Sequence, residues 1–335
     1  MTSLPLFSDS EKPQLIGIAK LAAEGESIRE GHNVEYFTLA SRSLLNKCAS
    51  KRGVPFEWTI NPYRGCEFGC KYCYARYTHE FMEMRDGDAF EQRIYIKQHA
   101  AELLHQELRQ VKVDESIAIG AATDPYQPAE RRYEVTRTIL EEFAKREGFR
   151  IGIITKSNLI LRDIDILQAV ARRNRLSVNM TITTLDVELA RILEPRAPRP
   201  DLRLEAVRKL SEAGLRAGIS GSPVLPGITD SPKDLEALIR AASEAGAHHI
   251  FAGPLFLKPC SAAVFLPFLE KQFPHLVASY KHRYQGRAFL PPSYAKPLGD
   301  LVDRLRHKYH LGRDPRRAQT ITPQVQSMGE QLALF

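Results

Sequence analysis

Cys66-Glu67-Phe68-Gly69-Cys70-Lys71-Tyr72-Cys73 places three thiols at the spacing C-x3-C-x2-C. Thiolates ligate iron–sulfur clusters, and a short loop can wrap one corner of a cubane if its backbone bends freely. Gly65 and Gly69 supply that freedom. Three ligands satisfy three irons and leave the fourth open, and an open coordination position is the mark of a reactive metal site rather than a structural one. Phe68 and Tyr72 can shield a cluster from water and so help set its potential. Two other readings compete: a zinc site completed by His79, and thiols that merely pack. Zinc sites usually show two Cys or Cys/His pairs separated by a longer loop, and no second pair occurs here.

Outward from this loop the chain has a βα rhythm. Strand-like runs fall at Phe56–Asn61, Ile117–Ala121, Arg150–Thr155, Leu176–Thr183, Leu215–Val224 and His249–Leu257. Helical spacings lie between most of them: Ala100/Leu104/Leu108/Val111, Val135/Ile139/Phe143 and Ile164/Leu167/Ala171. Ser231-Pro232 with Asp234 reads as a cap and first turn, and Gly246 as the matching stop. Such recurrence is the size of a βαβ unit and predicts a parallel sheet with right-handed crossovers. Six strands favour a partial barrel over a complete one, so the expected class is α/β, a (β/α)6 partial TIM barrel. Chemistry in parallel barrels sits in loops after the strands' carboxyl ends. Those loops here read Asn61–Cys66, Thr123–Pro128, Thr155–Asn158, Thr183–Asp186, Pro223–Gly227 and Lys258–Cys260.

The expected organisation is an N-terminal extension over 1–54, polar with a short helix at Leu15–Ala23, a core over 55–275, a basic segment over 276–318 and a tail over 319–335. The chain's 335 residues are 43% apolar and 26% charged, which permits a sizeable core. Met1–Gln14 has neither a basic start nor an apolar stretch, and the most apolar run, Cys260–Leu269, is too short to span a bilayer. A cytoplasmic protein without membrane attachment is therefore expected. In a reducing compartment, clustered cysteines point to metal or redox chemistry rather than disulfides. The net charge of +7 is concentrated between Lys281 and Arg317, where ten Lys/Arg face three Asp and no Glu. Tyr280, Tyr284, Phe289, Tyr294 and Tyr309 are interleaved with or flank these cations. Cations for phosphate and rings for stacking suit nucleic acid, while a solvated helix over Pro297–His310 is the plainer alternative.

The cysteine loop with its flanks, Asn61-Pro62-Tyr63-Arg64-Gly65-Cys66 through Tyr74-Ala75-Arg76 and Thr78-His79-Glu80-Phe81, resembles the radical S-adenosylmethionine (SAM) enzymes. The similarity is to their spore photoproduct lyase-like, DNA repair photolyase-related branch. It continues through Thr123–Pro128, Thr155-Lys156-Ser157, Glu194-Pro195 and Pro223–Gly227, covering about residues 40–275. The resemblance implies a [4Fe-4S] cluster on Cys66, Cys70 and Cys73. SAM would chelate its open iron and be cleaved reductively to a 5′-deoxyadenosyl radical. The electron would come from a flavodoxin- or ferredoxin-type donor. It also implies that Gly120–Asp124 receives the SAM ammonium, with Thr123 and Asp124 as acceptors, although this stretch departs from the usual Gly-Gly-Glu. Lys156 and Ser157 would donate to the carboxylate or ribose, and Tyr72 with Val224–Gly227 would flank adenine. Cys260, after the last strand, would return hydrogen to the product radical, while Cys48, before the first strand, is expected to lie away from the site.

Nucleic acid, for base repair or modification, is the expected substrate. A peptide, tRNA or small metabolite is the alternative within the same chemistry, and a non-catalytic metal-binding nucleic-acid adaptor is the alternative of another class. Finally, Gln331-Leu332-Ala333-Leu334-Phe335 resembles the peptide with which bacterial repair and replication proteins bind the sliding clamp. Ser3–Phe7 is a weaker echo.

Overall fold

A computed structural model describes residues 15–31, 33–48, 55–84, 86–112 and 115–312. Eleven strands occur among them: β1 (Ser27–Gly31), β2 (Val34–Leu39), β3 (Leu45–Lys47), β4 (Trp58–Ile60), β5 (Tyr63–Arg64), β6 (Arg93–Lys97), β7 (Ser116–Ile119), β8 (Arg150–Thr155), β9 (Arg175–Thr181), β10 (Ala217–Ser220) and β11 (Ile250–Phe251). The main sheet runs β11-β10-β9-β8-β7-β4-β3. Its six strands from β4 to β11 are all parallel and adjacent in chain order, the singly wound arrangement of a partial barrel. All helices that cross over then lie on one face.

Alternation along these strands sorts the two faces. Trp58, Ile60, Ile117, Ile119, Ile151, Ile153, Val178, Met180 and Ile219 turn outward into the core beneath the helices. The residues between them are small or polar, among them Thr59, Ala118, Gly152, Ser177, Asn179 and Ser220. This inner face underlies the site. The helix Val135–Ala144 buries Ile139, Leu140 and Phe143, and the helix Ile164–Arg173 buries Leu167 and Val170, as their spacings predict. The helix Pro232–Glu244 starts at Ser231, whose Oγ accepts from the Asp234 N–H, and Gly246 follows it at φ +73°.

Three features differ from expectation. The segment read as a polar extension contributes β1, β2 and β3 besides the helix Gly17–Ala23. β1 and β2 join β6 and β5 in a second sheet, ordered β1-β2-β6-β5, and β3 adds an antiparallel edge to the main one. No period of two marks β2, because its central residues Glu35–Thr38 are all half-buried. The last two parallel strands are also shorter than their apolar runs. Beyond Ser220 and Phe251 the ladder thins to one bridge, Val224 with Pro254, where Pro223 and Pro254 have no N–H to give.

The third difference concerns the basic segment. Its helix spans Pro292–Lys308, packs on Pro232–Glu244, and sends Leu298, Val302 and Leu305 into the main core. Several of its charges are paired: Lys308 with Glu236, and Arg306 with Asp303. This helix closes the outside of the fold. The clamp-like peptide Gln331–Phe335 and its echo lie outside the described residues. Among the described residues no helix is long and apolar enough to cross a membrane.

Candidate functional site

The cysteine loop follows β5 at the carboxyl end of the parallel strands. Gly65 takes φ +85° and Gly69 φ +63°, and neither has room for a side chain. A Cβ on Gly65 would lie 2.7 Å from the Arg93 carbonyl, and one on Gly69 2.5 Å from Glu91 Oε2. Two elements brace the loop from the side of β7. Thr123 Oγ1 donates to the Gly65 carbonyl at 2.5 Å and Gln127 Nε2 does so at 3.2 Å, while the Glu67 N–H donates to Gln127 Oε1. The Glu67 carboxylate accepts from the Ala129 N–H and from Tyr36 OH on β2. Thr123, expected as an acceptor for SAM, thus spends its hydroxyl on the loop. The Asp124 carboxylate likewise accepts from Thr155 Oγ1, the Lys156 N–H and the Tyr126 N–H.

Cys66, Cys70 and Cys73 join an apolar nest of Phe68, Tyr72, Leu193, Leu225 and Leu257. Burial pushes all three thiols up, Cys70 to about 12, and the neighbouring thiols add to the rise at Cys66 and Cys70. Lys156 opposes the rise at Cys70 and Arg76 at Cys73. Three neighbouring thiols in an apolar nest, with cations at hand, suit a cluster held by three thiolates. Among the described residues no three metal-ligating side chains converge on a single ion. A cubane requires no such point, since each thiolate meets a different iron. His79 does not complete a zinc site: its Nε2 meets the Arg93 carbonyl at 3.0 Å and its ring sits against Phe90 and Tyr95.

Beneath the nest lies a charge network that sequence reasoning missed. Glu194, buried after the helix Val187–Leu193, accepts from Tyr72 OH and from Thr183 Oγ1, pairs with Arg203 Nη2 at 2.5 Å, and has Lys156 Nζ at 4.0 Å. Burial disfavours its charged form, but Arg203 and Lys156 outweigh burial and hold its pKa below the usual carboxylate range. Burial likewise opposes the Lys156 ammonium, which Cys70 and Glu194 nonetheless keep above the usual lysine value. The same segment holds the loop by its backbone, with Lys71 N–H on the Leu193 carbonyl and Arg196 N–H on Phe68. Glu194-Pro195 stood out in the sequence, whereas nothing local marks Arg203. Arg76 is a second missed brace, donating to the Cys70 and Gly87 carbonyls and pairing with Glu91.

The other expected residues divide. Ser157 is buried beside Thr155 and accepts from the Leu159 N–H, capping the turn that follows β8. Val224 faces the main core, while its neighbour Leu225 joins the nest. Gly227, at φ +75°, closes a turn through its N–H on Asp230. Cys260 Sγ lies 3.8 Å from the Tyr74 carbonyl. Tyr74 OH reaches the Ala121 carbonyl after β7, and its ring lies 6.0 Å from Phe256, after β11. Tyr74 therefore spans between the two sides of the fold at the site. Cys48 follows β3, where its N–H donates to the Glu57 carbonyl at the amino end of β4 and burial pushes its thiol up to about 11.

The radical SAM superfamily model matches residues 60–242. Uncharacterized protein Rv2578c of Mycobacterium tuberculosis is 35% identical over 286 residues, 85% of this chain and 84% of that one. Uncharacterized protein MJ0683 of Methanocaldococcus jannaschii is 27% identical over 218 residues, 65% of this chain and 77% of that one. Among solved structures, spore photoproduct lyase complexed with dinucleoside spore photoproduct superposes with a TM-score of 0.63 and 16% identity, covering 82% of this chain and 79% of the other. A mutant of that enzyme with bound AdoMet and dinucleoside spore photoproduct gives 0.62 at 16% identity and the same coverage. These two share the fold. The chain belongs to the radical SAM superfamily.

Proposed function

We propose that this radical SAM enzyme repairs or modifies a base in nucleic acid. The observation that carries the proposal is the three-thiol loop in its apolar nest at the carboxyl end of the sheet, with the exposed rings of Tyr74 and Phe289 and the unbonded Arg64 Nε on the same molecule. Superposition on a lyase solved with a dinucleoside lesion supports the same reading. Membership brings a [4Fe-4S] cluster and SAM as cofactors. Together they supply, when reduced, a 5′-deoxyadenosyl radical that abstracts hydrogen.

The chain's own residues do the rest. Cys66, Cys70 and Cys73 ligate three irons, and Phe68, Tyr72 and Leu225 keep water away. Lys156 holds the SAM carboxylate, with Glu194 fixing the lysine's position. Because the Thr123 and Asp124 side chains are engaged, backbone carbonyls of Gly120–Asp124 take the ammonium. Ser157 keeps its hydroxyl proton for the ribose, while Tyr72 backbone and the Val224–Gly227 turn flank adenine. Cys260, whose Sγ lies near the Tyr74 carbonyl, returns hydrogen to the product radical. A flavodoxin- or ferredoxin-type protein delivers the electron.

The test is anaerobic incubation with dithionite and SAM, scored for 5′-deoxyadenosine, then repeated with ultraviolet-damaged and undamaged DNA and RNA. Purified protein should carry about four irons per chain, and Cys70→Ala should lose both iron and SAM cleavage. SAM cleavage that no nucleic acid stimulates or couples to product would point to a peptide or small metabolite. No cleavage by iron-replete protein would leave only the adaptor reading.

A further inference from the structure

β5 and β6 pair antiparallel, with Arg64 opposite Tyr95 and Tyr63 opposite Ile96. The Lys97 N–H continues the ladder onto the Pro62 carbonyl. Tyr63, Ile94 and Ile96 turn into the main core, so Arg64, Tyr95 and Lys97 share the opposite face. There Arg64 and Lys97 are diagonal neighbours, about 7–8 Å apart at that register. Arg64 Nε is buried and bonded to nothing, and Lys97 is only 5% exposed. Neither head forms an ion pair or hydrogen bond with any described residue. A third cation approaches from the loop after β11: Lys258 Nζ sits 3.7 Å over the Tyr77 ring, and the Tyr77 hydroxyl lies within the field of Arg64.

The nearest carboxylates do not answer these charges. Glu107, near Lys97, gives its oxygens to the Leu44 and Leu45 N–H groups, and Glu80, near Lys258, stays beyond ion-pair reach. Burial together with Arg64 pushes Lys97 down to about 7. Holding like charges together without an ion-pair partner is costly, and the buried, unbonded Arg64 Nε calls for a missing partner. The cluster of cations flanks the chemistry: Arg64 stands two residues before Cys66, and Lys258 two before Cys260.

We propose that Arg64, Lys97 and Lys258 form an anion site that takes a phosphodiester of the substrate strand beside the cysteine loop. Arg64 offers a planar fork to two phosphate oxygens, and the lysines act as point charges. A nucleic-acid strand is favoured over a free phosphate by the adjoining rings. Phe256 lies 4.5 Å from Phe289 and 6.0 Å from Tyr74, and Phe289 and Tyr74 are 46% and 39% exposed, a surface on which bases can stack. This assignment rests on the nucleic-acid reading for the source of the phosphate, and on the unpaired cations for the site itself.

The test uses anaerobic, cluster-loaded full-length protein and three probes: a labelled short oligothymidylate, the same strand with neutral methylphosphonate linkages, and inorganic phosphate. Lys97→Met and Lys258→Gln should each weaken oligothymidylate binding about tenfold. Each should also lower the log–log salt slope by about 0.7. The neutral strand should bind the wild type as weakly as the variants. Phosphate should raise the wild-type Tm and leave the variants' Tm unmoved. Lys97→Met alone should raise the Tm of ligand-free protein, because it removes an unpaired buried charge, whereas a structural lysine would lower it. If Lys97→Met fails to fold, Lys258→Gln at its half-buried position carries the comparison. Unchanged affinity and slope in the folded variants would overturn the site while leaving the nucleic-acid reading intact. Phosphate stabilisation lost in the variants, with no oligothymidylate binding by the wild type, would keep the site and overturn the strand as its source.

Discussion

Replacing Glu194 by Leu removes one carboxylate of similar size and leaves two cations beneath the cysteine loop without it. Arg203 is 1% exposed and keeps its bonds to the Pro198 and Thr181 carbonyls, so the guanidinium stays hydrogen-bonded but uncompensated. Lys156 loses its ion-pair partner, and Tyr72 OH and Thr183 Oγ1 lose their acceptor. Breaking a buried pair by removing one partner costs about 3–5 kcal/mol. Against a total stability of about 5–15 kcal/mol, this is enough to move the urea midpoint well outside error. The loss should reach the cluster too, because the Leu193 carbonyl and the Arg196 N–H tie this segment to Lys71 and Phe68. Urea unfolding of anaerobic protein followed by far-UV circular dichroism, with iron counted per chain, measures both effects. Replacing Arg203 by Met as well should restore much of the stability, since no orphaned charge then remains. A cost under about 1 kcal/mol for Glu194→Leu, or a double variant no more stable than the single, would refute a compensated buried pair.

The same carboxylate has an acid limb: its folded-state value is depressed, so its contribution is complete above the usual range near pH 4.5 and disappears as pH falls below it. His79 acts in a higher window. Burial lowers it to about 4 from 6.5, so stability falls between roughly pH 6.5 and 4 as the unfolded chain gains a proton that the folded one refuses; His79→Gln should flatten urea midpoints across that range. Gly65→Ala meets two carbonyls, at 2.7 and 2.9 Å, at a φ that disfavours side chains, and should cost about 2 kcal/mol or more with loss of iron. Gly299→Ala, in open space on the helix Pro292–Lys308, should instead stabilise by about 0.5–1 kcal/mol in the same melts. Lys156→Ala should weaken SAM binding tenfold or more while retaining iron, as an isothermal titration would show; unchanged affinity would return the lysine to a purely structural pairing with Glu194.

Short-range spacing made much of this readable in the chain itself. Three cysteines within eight residues, two glycines beside them and a βα recurrence are local patterns, and local geometry sets what they become. The turn needs glycine where φ is positive, and alternation along β4 to β10 separates core from inner face. The helix caps at Ser231 and Gly246 are legible for the same reason. The edges of the pattern were less so: β2 is half-buried along its middle, and β11 spans two residues, beyond which one bridge joins Val224 to Pro254.

What only the tertiary structure decided are meetings across long stretches of chain. Gln127 holds Gly65 from 62 residues away, and Tyr72 OH meets Glu194 from 122 residues away. No periodicity connects such partners, since each depends on which strands become neighbours and in what register. Thr123 and Asp124 show the consequence: their type suggests ligands, but their hydrogen bonds go to Gly65, Thr155 and Lys156. Arg64 and Lys97 show the converse. In the sequence they are ordinary cations 33 positions apart; the β5–β6 ladder sets them diagonally opposite on one face, with neither head in an ion pair among the described residues, which is a property of the fold and of no local run of residues.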